Sequence, residues 1–508
     1  MVRMLAYNGA VPGPTLKVLQ GSEIEVNVIN DGDLEATVHW HGLRLENRYD
    51  GTHETQEPIQ VGGSMRSRVT FPDAGLYWYH PHIREDYGQE MGLYGNVLVV
   101  PSDPDYWSPV HREVALALDD ILIEDGKVAP FSRSETTHTA MGRFGNVLLV
   151  AGEPDLALTV GRGEVVRLYL TNTANTRVFK VQMPGARMKL VGGDSGRVEH
   201  EQFIDDVVLA PSERVILDVL FDQIGQLRLE HRTPDRTYPL AAITVTEDPV
   251  EPDLSDRFKI LRSAPELASE RQRLNSYLAA APDKTLAFVA EMDMGEPEVA
   301  PGATLIYTCP MHPDVASEQP GRCPDCGMKL LATEATQATT GYACPMHPHV
   351  LSEEPNRCPE CGMKLVPAAL LNQPGGEASA AEPEHTDPHE HHSEGHAHAH
   401  EATEGIEWED DMVEVNKLTT PANMRWILVD RSTGAENTAI EWQFKVGDRV
   451  KIRLVNEMDS DHPMHHPFHI HGAGRFLILA RDAVAEPNLV WSDTVLVRTG
   501  ETVDILLD

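Results

Sequence analysis

Three stretches of the chain share one rhythm. Gly21 to Asn30, Gly163 to Asn172 and Gly447 to Asn456 each read Gly-x-x-[Ile/Val]-x-apolar-x-apolar-x-Asn. The apolar positions (Ile24, Val26, Val28; Val166, Leu168, Leu170; Val450, Ile452, Leu454) alternate, the period of a half-buried strand, and the Asn ends each strand in a turn. Three copies of one strand motif predict three copies of one β-domain. Short alternating stretches with Gly/Pro turns recur at 63–71, 77–100 and 501–507, so the predicted fold is all-β, as Greek-key β-sandwiches. Residues 254–282, with Leu261, Leu267, Leu274 and Leu278, break the alternation and read as a helical connector. Lys284 to Met292 reads as a strand opening the third domain. The copies lie 142 and then 284 residues apart, so a segment is inserted between the second and the third.

The predicted organisation is a first domain over 1–110, a second over 111–250, a connector over 251–283, and a third domain split between 284–295 and 407–508. Between the two parts of the third domain the composition turns to Pro, Gly, Glu, Ala, Cys and His. There, 305–367 holds two metal-binding repeats and 368–406 a His-rich linker that cannot form a core.

Charge narrows the partners. A formal net charge of −37 repels phosphate backbones and anionic lipid, which argues against nucleic acid and membrane surfaces. No run of 18 apolar residues occurs, so no span is predicted, and nothing in the pattern fixes an oligomeric state. Met1 to Leu5 enter a strand-like pattern without an apolar leader, so the reading is either a cytoplasmic protein or one whose N-terminus is missing. The six cysteines all lie between Cys309 and Cys361, which gives no disulfide framework.

Histidine carries the chemistry. Three His-x-His pairs stand at strand-like positions: His39/His41, His80/His82 and His469/His471. In a strand, such neighbours share a face, so each pair can offer two imidazoles to two adjacent ions. Imidazole alone suits Cu, Zn, Fe and Ni. The second repeat has Val181 and Met183 where the first has His39 and His41, so a site shared by domains one and three is expected.

His39-Trp40-His41-Gly42, His80-Pro81-His82 and His466-Pro467-Phe468-His469-Ile470-His471-Gly472 resemble, in that order, the first three copper motifs of the three-domain multicopper oxidases, the laccase-like group. Tyr7-Asn8-Gly9, Pro12 to Leu16 and Gly192 to Gly196 add to the likeness, which covers about 1–295 and 407–508. The resemblance implies cupredoxin-like domains, with copper as cofactor. It assigns His39 and His469 to type 2 copper, His41, His80, His82 and His471 to the type 3 pair, and His466 to type 1. It also implies a small-molecule or metal-ion reductant, O2 as acceptor, and a periplasmic or extracellular location. Asp50 sits where the family places a proton-relaying carboxylate; an Asp50-Gly51 turn is the plainer reading. Asp493 is a candidate partner of a ligand or a loop cap. His462, Met464 and His465 are candidates to guide metal toward His466, or an exposed loop.

The family's fourth motif, His-Cys-His, is absent, and no cysteine lies near His466 in sequence. By the offset from Gly63 to His80, that motif is expected about nine residues past Asp508. The expectation is therefore an inactive fragment, incomplete at both ends.

The insert carries two copies of Cys-x2-His-x10-Cys-x2-Cys: Cys309, His312, Cys323, Cys326 and Cys344, His347, Cys358, Cys361. Each can close around one tetrahedral ion that also supplies folding energy. They resemble heavy-metal-binding modules of bacterial copper-efflux proteins. Zinc fits the geometry, and Cu(I) fits the thiolates with Met311, Met328, Met346 and Met363 alongside. The seven histidines of 385–400 suit weak metal binding. Two functions compete: a multicopper oxidase acting on Cu(I) or phenols in copper handling, and a non-enzymatic copper-binding or resistance protein. A two-domain nitrite reductase fits the threefold repeat poorly.

Overall fold

The alternation over Glu23–Ile29 becomes a strand whose Ile24, Val26 and Val28 face a core. In the computed structural model, which describes residues 2–132, 135–292, 305–308, 315–317, 319, 330–334, 342–344, 347, 349–352, 356–359, 365–367, 405–410, 412–457 and 464–507, the protein is all-β. Glu23–Ile29 pairs with Ser64–Thr70, and this two-stranded sheet covers a four-stranded one. That sheet runs Leu16–Leu19, Gly95–Val100, Gly75–His80, His39–His41. Trp40, Phe71, Tyr77, Tyr79 and Val97 fill the space between. The last pairing matters most for function: it sets His39 opposite His80 and His41 opposite Trp78.

Residues 112–249 form two packed sheets. One has six strands in the order Val147–Val150, Arg112–Ile121, Glu164–Asn172, Arg214–Phe221, Arg187–Gly193, Gly196–Ile204. The other has five, with Thr237–Pro249 and Gly225–Arg232 at its centre. Their inner faces share a core through Leu168, Leu170, Phe179, Leu217, Val219 and Ile243, the face-to-face packing of a β-sandwich.

The third sheet draws strands from both sides of the insert. Lys284–Met292 lies between Met424–Asp430 and Val450–Asn456; beyond them come Thr502–Leu507 and Phe476–Arg481. His466–His469 pairs with Thr494–Val497 in a short ribbon over this sheet's core.

The connector is two helices rather than one. Ser255–Phe258 and Pro265–Leu278 are separated at 259–264, because Pro265 takes the first helical position and pushes Ala264 into an extended conformation. Leu261, in the gap, is 48% exposed, whereas Leu267 and Leu274 are buried against Leu477, Leu479, Leu489 and Leu506. Each such leucine contributes roughly 2 kcal/mol of burial. The buried Lys451 ammonium donates to the carbonyls of Tyr277 and Ala280 at 2.9 Å, satisfying the end of the longer helix.

Both repeats of the insert adopt the same three-stranded order. Leu305–Thr308 lies between Ala316–Ser317 and Leu331–Glu334; Tyr342–Ala343 lies between Leu351–Ser352 and Val366–Pro367. Tyr307, Val315 and Leu330 of the first repeat pack with Met141, Met424 and Met464, so this repeat is moored on the third sheet's flank. The His-rich tract 385–400 lies outside the described residues. No described helix is long and apolar enough to cross a membrane.

Candidate metal centre

Six histidines meet where the first and third sheets touch. His41 and His469 rings stack at 3.8 Å, His39 and His471 lie 4.1 Å apart, and His82 and His471 4.6 Å. His39 is also 5.3 Å from His80. Two groups have nitrogens close enough to share an ion: His39, His41 and His469, and His39, His82 and His471. Only one of the three pairs has the strand geometry read from sequence. His80 ends its strand because Pro81 has no N–H to extend the ladder, and His471 lies in the turn after His469. Both pairs still converge, with ring separations of 5.0 and 4.9 Å.

Each ring is held from behind. His39 Nδ1 donates to the Asp50 carbonyl at 2.6 Å, His80 Nδ1 to the Pro81 carbonyl at 3.0 Å, and His469 Nδ1 to the Asp493 carbonyl at 2.6 Å. His471 Nδ1 donates to Asp50 Oδ2 at 2.8 Å, and His82 Nδ1 lies 3.2 Å from Glu85 Oε2. His41 is turned the other way, its Nε2 lying 2.8 Å from Thr494 Oγ1. The opposite nitrogens, Nε2 of His39, His80 and His469, are buried without any hydrogen-bond partner. Buried polar atoms are rarely left unpaired, and a ring fixed at one nitrogen with the other bare is how a metal-ligating imidazole is prepared.

Burial sets the charge state. It pushes the pKa values of His39, His41 and His80 far below the ordinary histidine value, with neighbouring imidazoles adding to the effect. His82 is lowered to about 3 and His469 to about 4, again chiefly by burial. All five are therefore neutral near pH 7, with a lone pair available to a cation. This donor set fits copper.

Asp50 is 2% exposed and serves rings from two domains, its carbonyl accepting from His39 and its carboxylate from His471. Its Oδ1 has no hydrogen-bond partner and lies 3.6 Å from His39 Nδ1. Gly51 makes this possible: at φ +89° its missing Cβ would run into the Val38 carbonyl.

His466 stands apart from the six. Its ring stacks on Phe288 at 5.1 Å and meets the edge of Trp426 at 4.7 Å; Nε2 is buried and unpartnered, and burial lowers its pKa to about 3. Met464 is 4% exposed and packed with Met141 and Met424, which corrects the exposed-loop alternative at that residue. His465 Nδ1 accepts from the Glu407 N–H, and His462 lies outside the described residues.

In the second insert repeat Cys344 Sγ and Cys358 Sγ lie 3.8 and 3.5 Å from His347 Nδ1, a three-donor group. Cys361 and the first repeat's Cys309, His312, Cys323 and Cys326 lie outside the described residues.

Glu85, Thr494, Arg214 and Asp194 belong to the site's surroundings, yet the sequence reading missed them. Arg214 and Asp194 join it only through contacts far apart in the chain, Glu85 through a turn that brings it back to His82 three residues earlier, and no motif signals any of the four. Of the outer partners, Asp50 and Asp493 are the two that the sequence singles out.

Comparison with known proteins agrees with this layout. Multicopper oxidase family models match residues 1–104 and 408–508, and the heavy metal binding domain model matches 306–333 and 342–368. A multicopper oxidase of Mycobacterium tuberculosis is 37% identical over 121 residues, 24% of this chain and 23% of that protein. One of Staphylococcus epidermidis is 28% identical over 225 residues, 42% of this chain and 48% of its own length. The chain thus spans at most about half the length of these curated relatives. Among solved structures, a Campylobacter jejuni multicopper oxidase described as a metallo-oxidase superposes with TM-score 0.59 at 19% identity, covering 99% of this chain and 81% of the other. The Pseudomonas thermotolerans multi-copper oxidase gives 0.55 at 20%, covering 98% and 86%. At these identities the structural likeness establishes the fold.

Proposed function

We propose, from the multicopper oxidase models that match 1–104 and 408–508 and the heavy metal binding model that matches the insert, that His39, His41, His80, His82, His469 and His471 hold copper where the first and third domains meet. His39 and His469 serve the type 2 position; His41, His80, His82 and His471 serve the type 3 pair; His466 serves type 1. The protein to which these domains belong oxidises a reducing substrate, Cu(I) or a phenol, one electron at a time and reduces O2 to water, in a periplasmic or extracellular setting. Copper supplies the redox chemistry. The protein's own residues orient the imidazoles, keep them neutral and handle protons. Asp50 orients His471, and its unpaired Oδ1 is a place to hold a proton beside the cluster. Type 1 rests on His466 alone in this sequence, whose cysteines all lie in 309–361.

The single observation that carries the reading is the pairing, on His39, His80 and His469, of a satisfied outer nitrogen with a bare, buried inner one. Loading the chain anaerobically with Cu(I), oxidising it, counting copper by mass spectrometry and recording its paramagnetic resonance tests this. An axial Cu(II) signal that disappears in His39→Ala and His469→Ala is expected.

The convergence of Cys344, His347 and Cys358 supports a second reading, a non-enzymatic protein that buffers zinc or Cu(I) through its insert. Copper retained in both histidine variants but lost in Cys358→Ser, with no oxygen uptake on Cu(I) or phenol, would favour it.

A further inference from the structure

The middle domain gives no histidine to the six-ring cluster, yet one of its side chains controls what lies behind it. Arg214 opens the strand Arg214–Phe221, and its side chain is 0% exposed. Its Nε donates to the Leu76 carbonyl of the first domain at 2.8 Å. Nη1 donates to the Ser212 carbonyl at 2.7 Å and to Asp493 Oδ1 at 2.6 Å, while Nη2 donates to Asp493 Oδ2. Asp194, from the same domain, accepts from the Arg214 N–H at 2.8 Å and from the Asp493 N–H at 3.1 Å. Asp493 is therefore gripped by the middle domain at both its backbone and its carboxylate. Gly42 closes the other side, since a Cβ there would collide with the Asp493 carboxylate.

The grip reaches His41 through one hydroxyl. Thr494 Oγ1 is 3.1 Å from Asp493 Oδ1 and 2.8 Å from His41 Nε2. The hydroxyl donates to Asp493, whose two oxygens also accept from the guanidinium, and with its one hydrogen so used it must accept from His41. That puts the proton of His41 on Nε2 and leaves Nδ1 bare. His41 Nε2 is also 3.3 Å from Asp493 Oδ1, which favours the same proton position. The other five rings use Nδ1 outward, so His41 is reversed relative to its neighbours.

We infer that Arg214 is a positioning residue that sets the tautomer of His41, so that the domain without ligands decides which nitrogen of one ring faces the metal. Without the guanidinium, Asp493 keeps its backbone bond to Asp194, but its carboxylate loses a two-point partner and is free to rotate away from Thr494. The hydroxyl then has no fixed acceptor, and His41 no longer has a reason to be protonated on Nε2. The copper side of this inference rests on the proposed function; the tautomer does not.

The test uses metal-free chain labelled with 15N-histidine, reading ring tautomers from long-range proton–nitrogen correlations, with His41 assigned by its loss in His41→Gln. In the parent, His41 is expected in the Nε2-protonated form and His39, His80, His469 and His471 in the Nδ1-protonated form. Arg214→Gln is expected to turn the His41 pattern into a mixture and leave those four unchanged. Arg167→Lys is the control: Arg167 makes an equally buried pair with Asp218, at 2.8 and 3.0 Å, within the middle domain. It is expected to lower stability without moving His41. An unchanged His41 in Arg214→Gln, or an equal change in Arg167→Lys, overturns the inference. Should Arg214→Gln fail to fold, Arg214→Lys, which keeps one donor but not the fork, decides the question by the same reading. A parent that binds no copper at the histidines defeats the proposed function, while the tautomer comparison still decides this inference.

Discussion

Replacing Asp50 by Ala and by Asn separates two things this residue does. Its carboxylate accepts from His471 Nδ1 at 2.8 Å in a site where Asp50 is 2% exposed, so solvent screens the bond little. A hydrogen bond to a charged partner contributes about 1.5–3 kcal/mol. If that energy holds His471 in its ligating orientation, Asp50→Ala is expected to weaken copper binding at the histidine cluster about 10- to 100-fold, the usual range for losing such an outer partner. Asp50→Asn keeps an acceptor oxygen but loses the charge; with about half of the energy gone, the expected weakening is about 3- to 10-fold. The carbonyl bond to His39 survives in both, so His39 acts as an internal constant. The assay is a competition titration of Cu(I) against a chromophoric chelator, with the insert's two thiolate sets removed by Cys309→Ser, Cys323→Ser, Cys344→Ser and Cys358→Ser in every variant. Affinity within twofold of the parent in Asp50→Ala would refute the orienting role. Equal losses in the two variants would show that charge, not the geometry of the bond, is what matters.

Other outcomes follow from the same contacts. Gly51→Ala, at φ +89° and against the Val38 carbonyl, is expected to destabilise the protein by about 2–4 kcal/mol and to lower copper occupancy, read by chemical denaturation and metal analysis. His231 is fully buried between Phe179 and Tyr238, and burial lowers its pKa from 6.5 to about 3. A folded value below the unfolded one means stability is fully present above pH 6.5 and is lost as pH falls toward 3. At pH 5 the loss is about 2 kcal/mol relative to pH 8, and His231→Phe should flatten that part of the acid limb in denaturation curves measured at both pH values. Cys358→Ser is expected to remove metal from the second insert repeat while leaving the Cu(II) resonance of the histidine cluster unchanged, since the two donor groups share no residue.

Much of this architecture was legible because it is local. Alternation over Glu23–Ile29 and Val450–Asn456 marks strands directly, and His-x-His survives as a signal even where strands stop short of it. The insert's donors announce themselves by spacing. What escaped depends on distance in the chain or on a single backbone event. Arg214 and Asp493 are 279 positions apart, and nothing in either neighbourhood predicts their meeting. Glu85 reaches His82 only because the chain turns after Pro81. The split of the connector at Pro265 was hidden because leucine spacing on both sides still looked helical; a proline at a first helical position is the signal that would have found it. The reversed ring of His41 is likewise invisible in sequence, since both tautomers have the same letter.

Lys284–Met292 and Met424–Asp430 are antiparallel neighbours in unbroken register, from Leu286 opposite Asp430 to Met292 opposite Met424. Topologically they are one hairpin, and everything from 293 to 423, both Cys/His repeats included, is its connecting loop. The entropy of closing a loop grows only with the logarithm of its length, so extending a loop from about five residues to about 130 costs roughly 3 kcal/mol, within reach of two or three buried hydrogen bonds. Seven paired residues can absorb that. A hairpin of this kind is a socket: the cargo between its two strands can be exchanged, provided the return arm keeps Ile406, Trp408, Asn416 and Thr419, which fasten it to the rest of the fold.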